Sequence, residues 1–311
     1  MNAERRPVLL FAYFRPDADA WLSALAPAAA DVEIRRWPEA GDPAEVDYLV
    51  AWQHPAGFLR QFPNLQAIFW IGAGVDRLMG DPDLPDTPVV RMQDDSLTIG
   101  MAEYVAERVL HYHRRMPLYA AQQRERTWRP LPQPLARDRV VGVLGLGEIG
   151  GASATALAGL GFDVRGWSRT QKTIPGVRAA TGPLAEAVRG WEIVVCLLPL
   201  TPETRGVLNR ELFAALDGAW LINAARGGHL AEADLIPALD AGCLAGATLD
   251  VFETEPLPPE HPFWSDARIT ITPHAAAISD PASAGAQIVA NLRRHLSGQP
   301  MRGLVDRNRG Y

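Results

Sequence analysis

Short apolar segments alternate with helix-forming segments along this chain of 311 residues, and no other feature constrains its fold as strongly. In the first part of the chain, strand-like segments rich in apolar residues lie at 8–14, 32–37, 46–52, 65–71 and 89–92. Segments between them, such as 19–25 and 55–62, have helical character. This alternation predicts an α/β fold in which helices cover both faces of a mainly parallel sheet.

The second part of the chain alternates more regularly. Further strands are predicted at 140–144, 162–167, 193–198, 220–223, 244–252 and 269–272. Helical segments fill most of the gaps, and Gly161, Gly190 and Gly242 are placed to end three of them, because glycine adopts the conformation that closes a helix. Six strands at this spacing are typical of a dinucleotide-binding sheet.

Three segments indicate how the two parts are connected. Residues 98–116 place apolar side chains at helical intervals and predict a helix of about five turns that ends before Pro117. The proline-spaced segment 129–134 predicts an extended connector. A last helix starts near Asp280-Pro281, a capping residue and a first-turn proline, and is expected to cross back to the first part. The predicted domains are 1–96 plus 279–311, and 97–278.

The composition excludes several classes of protein. A net charge of −6 offers no basic surface for nucleic acid or an anionic membrane. No apolar run approaches the ~18 residues that a membrane span needs. Cys196 and Cys243 are the only cysteines, which excludes a disulfide framework and favours a reducing compartment. Arg5 and Arg6 precede only a short apolar segment, so we expect a cytoplasmic domain rather than an export signal.

One motif points directly to a ligand. Gly145-Leu146-Gly147-Glu148-Ile149-Gly150 follows the apolar segment 140–144 and opens a segment of small, helix-forming residues. In a dinucleotide site the three glycines allow a tight turn, close approach of the backbone to a pyrophosphate, and close packing of helix on strand. The alternative is a glycine-rich turn without a ligand, but the strand before it and the helix after it favour the dinucleotide site.

The end of the next predicted strand indicates which dinucleotide is bound. An NAD site usually places Asp or Glu there, about 20 residues after the first glycine, to bind the adenosine ribose. This chain has Ser168, followed by Arg169 and then by Lys172. A hydroxyl followed by a guanidinium suits the 2′-phosphate of NADP, which arginine can bind with two hydrogen bonds. We therefore predict NADP(H) in preference to NAD(H); the alternative is that Arg169 is only a solvated loop charge.

Three polar side chains predict a catalytic centre. Arg226, Glu255 and His274 follow the fourth, fifth and sixth strands of the second part. Ligands of an open parallel sheet bind outside the carboxyl ends of its strands, so these side chains can share one site with the nicotinamide. Taken singly, they are equally compatible with a surface ion pair, an ordinary loop carboxylate and a turn residue. Their joint occurrence beside a dinucleotide motif favours a catalytic set.

Other residues carry weaker signals. Trp52 and Trp70 lie near the ends of first-part strands, where they could line a pocket for a small acid; burial in the core is the stronger alternative. His111 and His113 lie two residues apart on a predicted helix and therefore point to different faces. The other histidines outside the catalytic set have no carboxylate or cysteine at the spacing of a metal ligand. We therefore predict no metal site.

Motifs spread along the chain carry a family resemblance. They are Gly-Ala-Gly74-Val75-Asp76, the 145–150 fingerprint, Trp167-Ser-Arg-Thr, Leu198-Pro-Leu-Thr-Pro-Glu-Thr204, Asn-Ala-Ala-Arg226-Gly, Leu-Asp250-Val-Phe-Glu-Thr-Glu255-Pro and Thr-Pro-His274. In this order they resemble the D-isomer-specific 2-hydroxyacid dehydrogenases, and within that family the glyoxylate/hydroxypyruvate reductase A type. The resemblance covers nearly the whole chain and implies two Rossmann-like domains with parallel sheets, a flavodoxin-like substrate domain and a dinucleotide-binding domain.

The resemblance implies the reduction of a small 2-oxo acid to the 2-hydroxy acid by hydride from NADPH. Arg226 would bind the substrate carboxylate with its planar guanidinium. His274 would donate a proton to the substrate oxygen as a general acid. Glu255 would hydrogen-bond the other ring nitrogen and favour the protonated imidazole.

The resemblance also implies binding residues around this centre and a homodimer formed through the long helix and the connector after it. Backbone amides at Gly74 and Val75 would bind the substrate carboxylate. Trp52 is added as a substrate-pocket candidate on its strand-end position alone. Asp250 would meet the nicotinamide carboxamide. The other implied cofactor contacts come from Gly145, Leu146, Gly147, Glu148, Ile149, Ser168, Arg169, Lys172, Leu198, Pro199, Ala224 and His274.

Three other functions stay open from the sequence. A larger 2-oxo acid such as phenylpyruvate would use the same mechanism. Formate oxidation on this scaffold uses a glutamine where this chain has Glu255, and formate needs no proton donor, so the Arg–Glu–His set argues against it. A nucleotide-sensing protein without catalysis would need none of the three side chains.

Overall fold

The computed structural model describes residues 5–14 and 18–310, and the chain divides into two compact units. Unit 1 contains the residues up to Leu97 together with those from Ser279 onward. Unit 2 runs from Thr98 to Ile278. Unit 1 is therefore built from two separate parts of the sequence, whereas unit 2 is continuous.

Within its described residues, unit 1 contains a parallel sheet of five strands. The strands are β1 (Val8–Tyr13), β2 (Glu33–Arg36), β3 (Val46–Trp52), β4 (Ala67–Trp70) and β5 (Val89–Arg91). Their order, β2-β1-β3-β4-β5, is the flavodoxin-like order. The predicted α/β class is confirmed.

The helices of unit 1 are α1 (Ala18–Leu25), the short α2 (Asp76–Met79) and the C-terminal helix (Pro281–Leu296). Asp280 caps the C-terminal helix as predicted, because its carboxylate accepts the Ser283 N–H at 2.9 Å. Ile288 and Leu292 are buried on its inner face. Beyond the helix, Gly303 and Val305 form backbone hydrogen bonds with β5, so this last segment covers the edge of the sheet.

Unit 2 contains a larger parallel sheet, of seven strands among its described residues. They are β6 (Val140–Leu144), β7 (Asp163–Trp167), β8 (Val177–Ala180), β9 (Ile193–Cys196), β10 (Ala219–Asn223), β11 (Leu244–Leu249) and β12 (Ile269–Ile271). The order β12-β11-β10-β9-β6-β7-β8 extends the Rossmann order by one strand. Its first crossover, β6 to β7, carries the glycine fingerprint.

Both faces of this sheet are covered by apolar side chains. Val194 and Cys196 of β9 belong to one buried cluster, and Ile193 and Val195 belong to the cluster on the opposite face. Successive side chains of a strand point to opposite faces, so a strand covered on both sides must be apolar throughout. This is why the core strands of unit 2 are recognisable in the sequence.

The helices of unit 2 cover these faces and account for most of its remaining regular structure. They are α3 (Asp95–His113, which begins in unit 1), α4 (Met116–Arg124), α5 (Glu148–Gly159), α6 (Leu184–Ala187), α7 (Arg210–Ala214) and α8 (Glu232–Asp240). Gly161, Gly190 and Gly242 have positive φ after α5, α6 and α8, which confirms their predicted role as helix stops.

Three local predictions were wrong. Strand β8 was missed because its sequence, Val177-Arg-Ala-Ala180, has no apolar run and lies at the sheet edge. The long helix ends at His113, and Pro117 lies in the first turn of α4, where a proline costs no helical hydrogen bond. Segment 55–62 forms only the 3-10 turn Leu59–Gln61.

Two negative findings apply to the residues that the structure describes. Residues 5–14 and 18–310 include no helix with the length and apolar character needed to cross a membrane. Over the same ranges, His, Cys, Asp and Glu side chains form no cluster of three or more that could bind a metal ion.

Candidate active site

The residues predicted to act in catalysis lie at one edge of the unit 2 sheet. All of its strands run parallel, so their carboxyl ends meet at the same edge. The glycine loop follows β6, Arg226 follows β10, Glu255 follows β11 and His274 follows β12. This edge therefore combines the dinucleotide motif with the proposed proton-transfer groups.

The glycine loop has a different steric requirement at each glycine. Gly145 has φ +97°, and a Cβ there would lie 2.7 Å from the Leu197 carbonyl oxygen. A Cβ on Gly150 would overlap the Gly145 carbonyl group. Gly147, in contrast, has no atom within 4 Å of the position of a Cβ. The first and third glycines are required by the protein itself, whereas the second faces space that a pyrophosphate can fill.

The loop after β7, where the adenosine end of a dinucleotide would bind, has two kinds of side chain. Ser168 is buried, and its hydroxyl donates to the Thr170 carbonyl at 2.7 Å, so it shapes the turn. Arg169 and Lys172 are exposed. A hydrogen bond to Thr201 lowers the pKa of Glu203, and the positive charge of Arg169 contributes to the shift. The region therefore presents basic groups near the turn, with one acidic group close enough to interact with Arg169.

Leu198, Pro199 and Ala224 lie at the ends of the central strands. Leu198 and Ala224 are buried, and Pro199 is exposed. The Pro199 carbonyl accepts the Thr204 hydroxyl at 2.7 Å, which fixes the loop after β9. Leu198 lies directly against the glycine loop, because a Cβ on Gly145 would be 3.0 Å from the Leu198 nitrogen.

The backbone of Arg226 is fixed by its neighbours. The Arg226 carbonyl accepts the Asn223 side-chain amide at 3.1 Å and the His229 N–H at 3.2 Å. Gly227 then packs so closely on the Phe252 carbonyl that a Cβ would overlap it. The loop can therefore hold the half-buried Arg226 side chain in a defined place at the sheet edge.

His229 is part of this loop, and the sequence did not indicate its role. It is fully buried, with Nδ1 3.1 Å from the Arg226 carbonyl oxygen and Nε2 3.2 Å from the Pro199 carbonyl oxygen. The ring thus lies between the Arg226 loop and the loop after β9. Backbone carbonyls have no sequence signature, so a search for carboxylates or cysteines near this histidine could not identify its partners.

His274 and Glu255 form a hydrogen-bonded pair. Nδ1 of His274 lies 2.8 Å from Oε2 of Glu255, and both side chains are partly exposed. A carboxylate can only accept, so Nδ1 carries the shared proton and Nε2 is the ring nitrogen that can face a substrate. The two side chains of this predicted pair are therefore in contact.

The surroundings of Glu255 favour its ionised form. Burial raises the pKa of Glu255, but hydrogen bonds from His274 and from the Phe252 N–H, together with the charges of His274 and Arg226, lower it below its ordinary value. The Phe252 N–H donates to Oε1 at 3.0 Å. The carboxylate is therefore fixed through both oxygens and stays negative beside the imidazole.

Asp250 lies beneath the turn that carries His274. It is 1% exposed, and its carboxylate accepts the Thr272 hydroxyl at 2.6 Å and the backbone N–H groups of Ala275 and Ala276 at 2.9 and 3.0 Å. Its own carbonyl accepts the His274 N–H at 2.8 Å. The carboxylate predicted to meet a nicotinamide carboxamide thus binds the turn on both sides of His274.

The residues of unit 1 predicted to bind substrate lie at the carboxyl ends of β3 and β4. Trp52 is half-buried and packs on Trp70, with ring centroids 5.0 Å apart. The Trp70 indole N–H donates to the Gly74 carbonyl at 3.1 Å, and Val75 is buried at the start of α2. Trp70 is therefore a core residue that fixes the glycine turn, whereas Trp52 keeps an exposed surface.

Comparison with known proteins now identifies the family. Residues 107–276 match the model for the NAD binding domain of D-isomer specific 2-hydroxyacid dehydrogenases. The glyoxylate/hydroxypyruvate reductase A of Yersinia enterocolitica is 44% identical over 305 residues, which cover 95% of this chain and 97% of that protein. This chain belongs to the D-isomer specific 2-hydroxyacid dehydrogenases.

Solved structures of this dehydrogenase family agree with the whole chain. A D-isomer specific 2-hydroxyacid dehydrogenase from Xanthobacter autotrophicus Py2, in complex with NADPH and MES, is 45% identical with a TM-score of 0.93, covering 98% of this chain and 100% of that one. The NADPH-dependent glyoxylate/hydroxypyruvate reductase from Sinorhizobium meliloti, in complex with NADP and sulfate, is 39% identical with a TM-score of 0.92, covering 99% and 100%. The predicted family and fold are confirmed.

Proposed function

We propose that this dehydrogenase uses NADPH to reduce a small 2-oxo acid, glyoxylate or hydroxypyruvate, to the 2-hydroxy acid. The observation that carries the proposal is the His274–Glu255 pair, which leaves Nε2 available to a substrate oxygen at the edge that also bears Arg226 and the glycine loop. The Yersinia and Sinorhizobium relatives are reductases of these two acids. A larger 2-oxo acid is the alternative, and an assay with several acids separates the two.

The residues present fit NADPH. Open space at Gly147 leaves room for a pyrophosphate against the backbone at the start of α5. Arg169 and Lys172 are the groups proposed to bind the 2′-phosphate, and no carboxylate stands at Ser168 to repel it. Leu198, Pro199, Ala224 and Asp250 are proposed to surround the nicotinamide half. When bound, NADPH supplies the hydride.

Each residue at the sheet edge has a proposed role in the reaction. Arg226 binds the carboxylate of the 2-oxo acid and orients its carbonyl group. His274 donates its Nε2 proton to the carbonyl oxygen as negative charge develops there. Glu255 holds the imidazole through Nδ1 and stabilises its protonated form. In unit 1, Trp52 and the backbone of Gly74 and Val75 are proposed to contact the substrate; unit 1 is the proposed substrate domain and unit 2 the proposed cofactor domain.

A cytoplasmic homodimer is part of the proposal. Exposed apolar side chains occur along α3, α4 and the connector after them: Ile99, Leu110, Met116, Leu118, Trp128 and Leu135. Trp128 is 99% exposed, which is unusual for an indole in a monomer. A second copy packing on this surface would bury these groups. Sedimentation of wild type and a Trp128→Glu variant tests the dimer.

The decisive experiment follows NADPH and NADH oxidation by absorbance with glyoxylate, hydroxypyruvate, pyruvate and phenylpyruvate. Fast NADPH oxidation with the two small acids is expected. Turnover of phenylpyruvate alone would refute the proposed preference for small 2-oxo acids. A kcat/KM with NADH equal to or higher than that with NADPH would refute the proposed cofactor preference. NADPH binding without turnover of any acid would favour nucleotide sensing.

A further inference from the structure

A chain of hydrogen bonds links the long helix α3 to the turn that carries His274. The Tyr104 hydroxyl lies 2.7 Å from the Thr272 hydroxyl, and the Thr272 hydroxyl lies 2.6 Å from Oδ1 of Asp250. The same Asp250 carboxylate accepts the N–H groups of Ala275 and Ala276. Tyr104 is therefore connected through two side chains to the backbone immediately after His274.

The direction of these hydrogen bonds is determined by the carboxylate. An ionised carboxylate has no proton to give, so the Thr272 hydroxyl must donate to Asp250. Thr272 then has only its lone pairs left for Tyr104, and the phenol must donate to it. Burial raises the pKa of Tyr104 to about 12, so the phenol keeps this proton throughout the neutral range. Each member of the chain polarises the next, which strengthens the contacts on Asp250.

The turn needs this support because of its backbone conformation. His274 has φ +53°, in the left-handed region that a residue with a side chain rarely adopts. Such a conformation persists only where surrounding contacts enforce it. Here these contacts are the bonds that Asp250 accepts from the Thr272 hydroxyl and from the backbone N–H groups of His274 and Ala275.

We propose that Tyr104 is a positioning residue for the dehydrogenase reaction: it holds the His274 turn in place through Thr272 and Asp250. This inference rests on the proposed role of His274 as proton donor. The imidazole must reach the substrate oxygen within hydrogen-bond distance, so loosening the turn lowers the rate of the chemical step. The proposed contacts with the pyrophosphate and the 2′-phosphate come from the glycine loop and the loop after β7 rather than from this turn, so the NADPH Kd should change much less than the rate.

The same helix provides a matched control. Tyr112 lies two turns further along α3, is buried, and bonds through its hydroxyl to Thr248 of β11. Burial also raises the pKa of Tyr112 to about 12. Thr248 lies within the strand and makes no bond to the His274 turn among the contacts of the described residues. Tyr112→Phe therefore removes a tyrosine–threonine bond that is more deeply buried than that of Tyr104, and it removes no member of the Tyr104–Thr272–Asp250 chain.

The test compares Tyr104→Phe with Tyr112→Phe by steady-state kinetics, NADPH titration and thermal melting. Tyr104→Phe should lower kcat about three- to tenfold, the effect of one lost hydrogen bond, with a much smaller change in the NADPH Kd. Tyr112→Phe should lower the melting temperature at least as much and leave kcat near wild type. Equal kcat losses in both variants, or a loss confined to KM in Tyr104→Phe, would overturn the inference.

Variants of Thr272 and a rate-independent measurement complete the test. If Tyr104 acts through Thr272, Tyr104→Phe should cause no further loss of kcat in a Thr272→Val background, and Thr272→Ser should retain wild-type kcat. Hydrogen exchange at the Ala275 and Ala276 amides should be faster in Tyr104→Phe than in Tyr112→Phe. Unchanged exchange would refute the link from Tyr104 to the His274 turn, whether or not the wild type reduces any of the acids. Failure of the wild type to reduce any acid would, by itself, refute only the proposed function.

Discussion

The glycine loop and the His274 turn lie at the same edge of one sheet, but they are shaped by opposite means. The glycine loop requires residues without a side chain, because a Cβ at Gly145 or Gly150 would overlap the backbone around it. The His274 turn requires polar side chains, because the Asp250 carboxylate and the Thr272 hydroxyl form the hydrogen bonds that hold it. One region is therefore sensitive to any enlargement, and the other to any loss of a polar group.

This difference separates the two halves of the reaction. The glycine loop is proposed to bind the pyrophosphate of the cofactor through its own backbone, and none of the proposed proton-transfer groups belongs to it. The turn is proposed to carry the proton donor, whose charge and position both depend on neighbouring carboxylates. Changes to the loop should therefore alter binding constants, and changes to the turn should alter rates and their dependence on pH.

The largest effect should result from His274→Ala, which removes the turn's functional side chain. Loss of a positioned general acid should lower kcat/KM about a thousandfold, while the NADPH Kd changes little because the glycine loop is intact. Stopped-flow single turnovers and fluorescence titration measure the two quantities. Turnover within tenfold of wild type would show that another group donates the proton.

The next effect concerns one added methyl group in the glycine loop. Gly147→Ala should leave the fold intact, since no protein atom lies within 4 Å of the new Cβ, yet it should weaken NADPH binding about tenfold or more by occupying space needed for the pyrophosphate. Isothermal titration measures the Kd. The control is Gly159→Ala at the far end of α5, the helix that Gly147 caps. Gly159 also faces open space, so this variant should bind NADPH normally and be more stable by ~0.5–1 kcal/mol.

Arg169 tests whether the cofactor side of the site distinguishes the two dinucleotides. Removing the guanidinium in Arg169→Ala should raise the KM for NADPH about tenfold, because a charge-assisted phosphate contact is lost, and leave the KM for NADH unchanged. Lys172→Ala serves as the nearby comparison and should have a smaller effect. A parallel rise in both KM values would mean that Arg169 does not bind the 2′-phosphate.

The smallest effect at neutral pH is expected from Glu255→Gln, whose amide oxygen can still accept the bond from His274 but which loses the charge and the second acceptor that holds the Phe252 N–H. Without the negative charge, the protonated imidazole loses stabilisation, so the alkaline limb of the kcat/KM profile should move to lower pH. A lowered pKa in the folded state also means that ionised Glu255 stabilises the fold above its ordinary range, and that this contribution is lost as pH falls through the lowered value. Lowering the pH should therefore reduce the free energy of unfolding more in the wild type than in Glu255→Gln, as chemical unfolding measures. Identical pH dependence in the two proteins would argue against a stabilising Glu255–His274 pair.

The fold could be predicted from the sequence where one segment contains the whole signal. Strands β3 and β6 occur at the predicted residues because every side chain in them is apolar or covered. Strand β8 could not be predicted, since an edge strand with one side open needs no apolar run. Helix boundaries shifted by a few residues at Pro117, because a proline can begin a helix as well as end one.

The site divides in the same way. The glycine loop and the three catalytic candidates are readable because their chemistry lies in contiguous motifs, and the structure brings Glu255 and His274 into contact. Tyr104 could not be found, because its partner Thr272 is 168 residues away and both are ordinary residue types. His229 was also missed, since its partners are backbone carbonyls that every residue has.

The discontinuity of unit 1 has a consequence for biosynthesis. Residues 98–278 form a unit without any segment from elsewhere in the chain, so they can fold while the ribosome is still translating the C-terminal helix. Unit 1 is not complete until that segment is made, because α1 packs on the C-terminal helix and the edge of β5 pairs with Gly303 and Val305. Synthesis of unit 1 therefore begins before that of unit 2 and ends after it. Until the C-terminal segment is made, the edge of β5 is open to pairing with other nascent chains.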